Sequence, residues 1–134
     1  MIPAGVLNHE GTLPIMKRLQ LKAKEERRLL RGHPWAYRSE LEPTADLEDG
    51  QMVDLYTDGN RFVARGFWQD QGGIAVRILT RRQDAIDSMY WGKRVDAARQ
   101  LRERLFGDST TYRWIFGESD GLPGFVADRY GRHV

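Results

Sequence analysis

The sequence predicts an α+β fold in which a small β-barrel-like unit is followed by a β-α-β-β unit. Three observations support it. The first half alternates apolar and polar residues with the period of a strand, an amphipathic helix follows, and two β-rich segments then flank a glycine-rich turn. The 134 residues are 40% hydrophobic and 30% charged, which is typical of a folded globular chain and excludes a disordered one.

The first unit is expected at residues 15–80, after a flexible leader at residues 1–14 that contains two prolines and two glycines. Within the unit, a short strand at residues 16–21 precedes a charged helix at residues 22–31. Gly32 ends this helix, because glycine readily adopts the left-handed backbone conformation that closes many helices.

A β-hairpin is the strongest local signal. The β-rich runs at residues 52–56 and 61–68 flank Asp58-Gly59, a dipeptide that favours the positive φ angles of a tight turn. A Gly-Gly turn leads into a further strand at residues 74–79, which is nearly continuous in apolar character. These strands form most of the predicted barrel.

The second unit is expected at residues 81–134 as an incomplete α/β connecting domain. Asp84 is the candidate N-cap of its helix, and Gly107 ends the helix. Apolar residues at spacings of three and four predict one buried helix face. These residues are Trp91, Val95, Ala98, Leu101 and Leu105.

The end of the sequence has the pattern of an unfinished sheet. Strands are expected at residues 112–116 and 125–130, and the last residues resemble a turn that opens into another strand. We therefore expect the sequence to be part of a longer one. An open strand edge at residues 125–130 also predicts self-association, because unpaired backbone groups invite pairing with a second chain.

The net charge of +2 conceals a strong asymmetry along the chain. Residues 15–38 carry a charge of +6, residues 39–60 carry −7 and residues 61–106 carry +5. Concentrated positive charge attracts polyanions, of which nucleic acid is the commonest in a cytoplasm. The alternative explanation of this charge is solubility alone.

The sequence contains no cysteine, which excludes disulfides, thiolate nucleophiles and cysteine-ligated metals. It lacks the basic-then-apolar pattern of a secretory signal peptide, and no apolar run reaches the roughly 18 residues that a membrane span needs. We therefore expect a cytoplasmic protein without membrane association.

Residues 31–37 combine a positive charge, a chain reversal and two aromatic rings. Arginine contacts phosphate through paired hydrogen bonds, and aromatic rings stack on unpaired bases, so this segment predicts an RNA-binding edge. The alternative places Trp35 and Tyr37 in the barrel core and His33 in a turn. The predicted RNA-binding residues are Lys17, Arg18, Lys22, Lys24, Arg27, Arg28, Arg31, His33, Trp35 and Arg65.

The glycine-rich segment at residues 117–124 is the most distinctive short stretch. Its Glu118 and Asp120 are of the types that bind metals or act as acid and base, but no Lys-Ser/Thr follows to form a phosphate-binding loop and no histidine lies nearby as a metal ligand. Turn chemistry favours a structural hairpin. A small hydrolase that uses Glu118 and Asp120 is the weakest functional alternative.

Several motifs occur in the same order in one bacterial family. They are Arg31-Gly32-His33-Pro34-Trp35-Ala36-Tyr37, Ala64-Arg65-Gly66, Ile86-Asp87, Gly117-Glu118-Ser119-Asp120-Gly121-Leu122-Pro123-Gly124 and Asp128-Arg129-Tyr130-Gly131. Through them, residues 15–134 resemble the N-terminal part of the class I S-adenosylmethionine-dependent ribosomal RNA methyltransferases, whose best-known members are large-subunit cytosine-5 methyltransferases.

The resemblance implies a PUA domain, which is an RNA-binding β-barrel, then a small β-β-α-β-β domain, and then a Rossmann-like methyltransferase domain that is absent from this sequence. In the family, that third domain holds S-adenosylmethionine and the attacking cysteine. We therefore expect no catalytic residue, cofactor site or metal ligand here, and S-adenosylmethionine only in the longer protein. The chain is expected to bind structured ribosomal RNA and position it for catalysis; the alternative is a standalone PUA-type RNA-binding module.

Overall fold

The computed structural model describes residues 16–44 and 46–134, so the predicted leader at residues 1–14 lies outside the described residues. The chain divides into two compact units, the first ending at Asp84 and the second beginning at Ala85. The sequence pattern placed this boundary after residue 80. Each unit has its own cluster of buried apolar side chains.

The first unit is built on a five-stranded sheet in the order β1-β3-β4-β5-β2. β1 runs parallel to β3, and the other neighbouring strands are antiparallel. A helix and a short 3-10 helix flank β2. The elements are β1 (Lys17–Gln20), α1 (Glu26–Leu30), β2 (Trp35–Tyr37), the 3-10 helix (Arg38–Glu40), β3 (Met52–Tyr56), β4 (Phe62–Trp68) and β5 (Ile74–Thr80).

Backbone contacts join the two ends of this sheet and close it into a barrel. Leu21, directly after β1, forms an antiparallel bridge with Leu41, directly after the 3-10 helix. The Lys22 amide donates to the carbonyl of Glu40 at 2.8 Å. The predicted barrel-like unit in an α+β fold is confirmed.

The barrel core draws apolar side chains from α1 and from all five strands. Leu21, Leu29 and Leu55 are fully buried, and each such side chain contributes about 1.5–3 kcal/mol of transfer free energy. Trp68 belongs to this core, whereas Trp35 and Tyr37 are only half-buried and lie outside the cluster. The alternative that placed these two rings in the core is therefore wrong.

Two local predictions for the first unit need correction. The helix expected at residues 22–31 begins only at Glu26, because the Lys22 amide is held by the barrel-closing hydrogen bond and Lys24 has a φ of 70°. The β3–β4 hairpin is present, but its positive φ of 63° falls on Asn60 and not on Asp58-Gly59. Asparagine tolerates the left-handed conformation because its short amide bonds locally.

The second unit packs helix α2 (Ser88–Phe106) against a hairpin of β6 (Thr111–Phe116) and β7 (Val126–Tyr130). A second 3-10 helix (Gly117–Asp120) connects the two strands. Within residues 16–44 and 46–134, no helix combines the length and the apolar character that a membrane crossing requires. The buried residues of this small core are Ala98, Ile115 and Leu122.

Helix α2 differs from its prediction at its start and along its apolar stripe. Its N-cap is Asp87, whose carboxylate accepts a hydrogen bond from the Tyr90 amide at 2.9 Å, and not Asp84. Of the stripe, only Ala98 is buried, and Leu105 is 63% exposed. A two-stranded hairpin covers only part of a 19-residue helix, so Trp91 and Val95 pack partly buried against the small core while Leu101 and Leu105 stay exposed in this unit.

Gly66 on β4 is required by the close approach of β5. A Cβ built on Gly66 would lie 2.1 Å from the carbonyl oxygen of Arg77 and 2.9 Å from Val76 Cγ1. The β4–β5 register shifts between Arg65 and Gly66, which brings the two backbones together. Any larger residue would force the strands apart.

We predict that Gly66→Ala destabilises the first unit by about 1–3 kcal/mol or more, because overpacking against backbone cannot be relieved by a side-chain movement. Urea unfolding followed by circular dichroism measures the effect. The control is Gly73→Ala, since a Cβ there meets no atom within 4 Å. Equal stability of the two variants would contradict the packing requirement at Gly66.

Candidate nucleic-acid interface

Five of the ten predicted RNA-binding residues lie where α1 leads into β2. We call this region, formed by Arg27, Arg28, Arg31, His33, Trp35 and Tyr37, the α1–β2 surface. The His33 ring centroid lies 5.9 Å from those of both Trp35 and Tyr37. The Arg28 guanidinium lies 4.9 Å from the Tyr37 ring centroid. A cation and three rings therefore form one continuous cluster.

The three residues that carry these rings are half-buried and lie outside the barrel core. The Trp35 amide donates to His33 Nδ1 at 3.3 Å, which ties the imidazole to the start of β2. β2 is the last strand in the order of the five-stranded sheet, where its neighbour is β5. The segment thus lies at the edge of the sheet and outside the core, as stacking on an unpaired base requires.

Arg81 holds the loop that carries this surface. Its Nε donates to the Leu29 carbonyl at 2.6 Å and its Nη2 donates to the His33 carbonyl at 2.8 Å. Burial lowers the pKa of Arg81, but an arginine remains charged at neutral pH. No local pattern in the sequence marks this residue, because its partners lie 52 and 48 positions away.

The buried carboxylate of Glu40 contacts two residues of the α1–β2 surface. Glu40 is 8% exposed, accepts a hydrogen bond from the Tyr37 amide at 2.8 Å and forms an ion pair with Arg28. Lys22 Nζ donates to the neighbouring Ser39 carbonyl at 2.8 Å. Arg28 and Lys22 are thus held by the protein itself, and Glu40 offsets the charge of Arg28.

Four other predicted cations are exposed, and none of them has an ion-pair partner among residues 16–44 and 46–134. With no carboxylate within ion-pair distance in the described part of the chain, their charge is available to a polyanion. They are Lys17, Lys24, Arg27 and Arg31.

Arg18 lies at a different place, against the β3–β4 hairpin. Its guanidinium carbon lies 3.6 Å from the centroid of the Tyr56 ring, and its Nη2 donates to Asn60 Oδ1. The structure therefore separates Arg18 from the aromatic cluster with which the sequence pattern grouped it.

Arg65 is part of the barrel wall. Its Nε and Nη2 donate to the two carboxylate oxygens of Asp54 at 2.7 and 2.9 Å, and its Nη1 donates to the Asp84 carbonyl at 2.5 Å. The Arg65 and Asp54 side chains are only 11% and 6% exposed. The hydrogen bonds that Arg65 donates to Asp54 raise the pKa of Arg65. The contacts of this guanidinium are internal, and Arg65 does not belong to the α1–β2 surface.

The glycine-rich segment of the second unit is held by its own ion pair. Asp120 accepts hydrogen bonds from Arg102 at 2.6 and 2.8 Å and from the Phe116 amide at 2.7 Å, and its side chain is 5% exposed. Across the described part of the chain, no three His, Cys, Asp or Glu side chains are grouped to hold a metal. Asp120 thus fixes the hairpin to α2, which supports the structural role over the hydrolase alternative.

Comparison with known proteins identifies the first unit. Residues 19–81 match the model of the PUA-like domain family. The chain is 38% identical over 131 residues to ribosomal RNA large subunit methyltransferase I of Salmonella paratyphi B, and equally to that of Salmonella typhi. The match covers 93% of this chain and 32% of each relative, so the chain spans about a third of their length.

Two solved structures share the fold. A putative SAM-dependent methyltransferase from Streptococcus mutans superimposes with a TM-score of 0.74 and 23% identity, over 87% of this chain and 31% of that one. A putative methyltransferase complexed with SAH gives a TM-score of 0.75, over 87% of this chain and 30% of that one. The resemblance drawn from the sequence motifs is confirmed. Residues 19–81 therefore form a PUA-like domain, in a chain that is similar to about one third of ribosomal RNA large subunit methyltransferase I.

Proposed function

We propose that the chain is the RNA-recognition region of a cytoplasmic, SAM-dependent ribosomal RNA (cytosine-5) methyltransferase, and that its α1–β2 surface binds structured ribosomal RNA. One observation carries the proposal: arginines without a carboxylate partner flank half-buried aromatic rings at one end of a PUA-like sheet. The names of the Salmonella relatives support ribosomal RNA as the substrate. Methyl transfer and SAM binding are assigned to the longer protein.

The two kinds of side chain on this surface have separate tasks. Arg27 and Arg31 contact phosphates, which positions the RNA without reading its sequence. Trp35 and His33 offer ring surface to an unpaired base of a loop or bulge. Both tasks together favour folded RNA with single-stranded elements over a plain duplex.

Internal contacts hold the surface in place before RNA arrives, which lowers the entropy cost of binding. Arg81 bonds the end of α1 to the following loop, and Glu40 bonds the end of β2 to α1 through Arg28. Because these contacts are internal, they persist without RNA. The bound RNA is therefore held in a defined orientation, as presentation of one nucleotide to a catalytic domain requires.

We predict that the chain binds a ribosomal RNA hairpin with an affinity that falls steeply with salt. If three or four phosphates are contacted, the slope of log K against log salt concentration is about −2 to −4, because each neutralised phosphate releases counterions. Fluorescence anisotropy between low and physiological salt measures the slope. An affinity independent of salt would contradict phosphate binding by this surface.

Removal of one exposed cation tests where the phosphates bind. We predict that Arg31→Ala reduces the magnitude of the salt slope by about 1 and weakens binding to all RNA sequences alike. The thermal midpoint stays nearly unchanged, because an exposed charge contributes little to stability. The matched control is Arg104→Ala, which removes the same charge from the exposed side of α2. Equal RNA affinity of a folded Arg31→Ala protein and the wild type would remove this segment from the site.

Trp35 tests the stacking contact. Trp35→Ala is expected to weaken binding of RNA with unpaired loop bases by about 1–3 kcal/mol, because the base loses its platform. Trp35→Phe, which keeps a ring, recovers most of that loss. Thermal unfolding of both variants is measured alongside, since a half-buried ring also contributes to folding. If a folded Trp35→Ala protein binds like the wild type, stacking on this ring is wrong.

A further inference from the structure

A cavity opens beside the β3–β4 hairpin, and no residue of the α1–β2 surface lines it. Its volume is about 170 Å³, and its lining includes Arg18 from β1 and Tyr56, Asp58 and Asn60 from the hairpin. Sites for drug-sized ligands occupy roughly 300–1,000 Å³. This cavity is therefore of a size for one small planar ring and not for a whole cofactor.

Arg18 is already arranged as a stacking platform. One face of its guanidinium lies on the Tyr56 ring, 3.6 Å from the ring centroid, and one edge donates to Asn60 Oδ1. Tyr56 is itself fixed by edge contact with Phe62, at 5.7 Å between centroids, and by a hydrogen bond from Gln83 Nε2 to its hydroxyl at 3.3 Å. A planar cation fixed on one face stacks a second planar ring on the other.

The charges in the cavity select the kind of ligand. Within residues 16–44 and 46–134, Arg18 has no carboxylate ion-pair partner, yet Asp58 is among the residues that line the same cavity. Its charge opposes entry of a phosphate. Asp58 Oδ1 is held by the Gly59 amide at 3.0 Å, which leaves further lone pairs of the carboxylate to accept hydrogen bonds. A carboxylate in such a position accepts from an amino group of a base, as it does from the N4 amino group of cytosine.

We propose that this cavity binds one unpaired nucleobase of the RNA, stacked on Arg18, with its exocyclic amino group donating to Asp58. The proposal rests on the proposed function for the source of the base, since it adds a second contact to the same RNA. Cytosine, adenine and guanine carry such an amino group. Uracil presents a carbonyl oxygen there, which Asp58 repels.

The isolated base tests the cavity without the polymer. Titration of the chain with cytidine is expected to shift the amide NMR signals of residues 57–60, and uridine or inorganic phosphate to shift them far less. Arg18→Lys keeps the charge but removes the planar platform, so the cytidine shifts disappear. In the matched control Arg61→Lys, which alters an arginine of the same hairpin outside the cavity lining, they remain. Absence of cytidine shifts in the wild type would overturn the proposal.

A pair of RNA hairpins separates this proposal from the wider one. The Arg18→Lys variant is expected to bind a hairpin with a loop of unpaired cytidines about 5- to 150-fold more weakly than the wild type does. It is expected to bind a hairpin with a loop of uridines nearly as well as the wild type. Arg31→Ala weakens both hairpins alike. If Arg18→Lys and Asp58→Asn bind the cytidine loop like the wild type while Arg31→Ala does not, the cavity proposal is wrong and the α1–β2 surface stands. Cytidine shifts in a chain that binds neither hairpin would instead support the base site and contradict the proposed function.

Discussion

The buried carboxylate of Glu40 connects the barrel to its proposed RNA-binding surface. The Glu40 carbonyl accepts the Lys22 amide, which helps to close the barrel, while its side chain accepts the Tyr37 amide and pairs with Arg28. A buried carboxylate is costly unless it is paired and hydrogen-bonded, and these partners meet that condition. The same residue therefore closes the sheet and sets α1 against β2, so the surface depends on the barrel being complete.

Arginines in this chain serve two purposes that charge counting cannot separate. Arg38 donates to three backbone carbonyls in the turn between β4 and β5, Arg65 to Asp54, and Arg81 to the end of α1. A guanidinium has five donors and readily satisfies several acceptors at once, which makes it a cross-link within a small barrel. Only those with no such partner, such as Arg27 and Arg31, remain for a polyanion.

Sequence patterns predicted the features that depend on residues close together in the chain. The alternation of apolar and polar residues located β3, β4 and β5, and the rings within residues 31–37 form one cluster because neighbours in sequence stay neighbours in space. The sequence could not show that Arg65 forms an ion pair with Asp54 on the neighbouring strand. Nor could it show that Arg18 donates a hydrogen bond to Asn60, 42 positions away. Such contacts depend on strand order. The N-cap of α2 is Asp87 and not the predicted Asp84, because the helix starts where the Asp87 carboxylate accepts a hydrogen bond from the Tyr90 amide, and the sequence pattern does not show that bond.

Amide NMR of the chain during titration with a ribosomal RNA hairpin decides whether RNA meets the first unit at the α1–β2 surface. We expect the largest shift changes at residues 27–37, with the core strand β3 (Met52–Tyr56) little affected at Val53 and Leu55, which are fully buried. Changes concentrated on α2 (Ser88–Phe106), with residues 27–37 unperturbed at saturation, would contradict RNA binding at this surface.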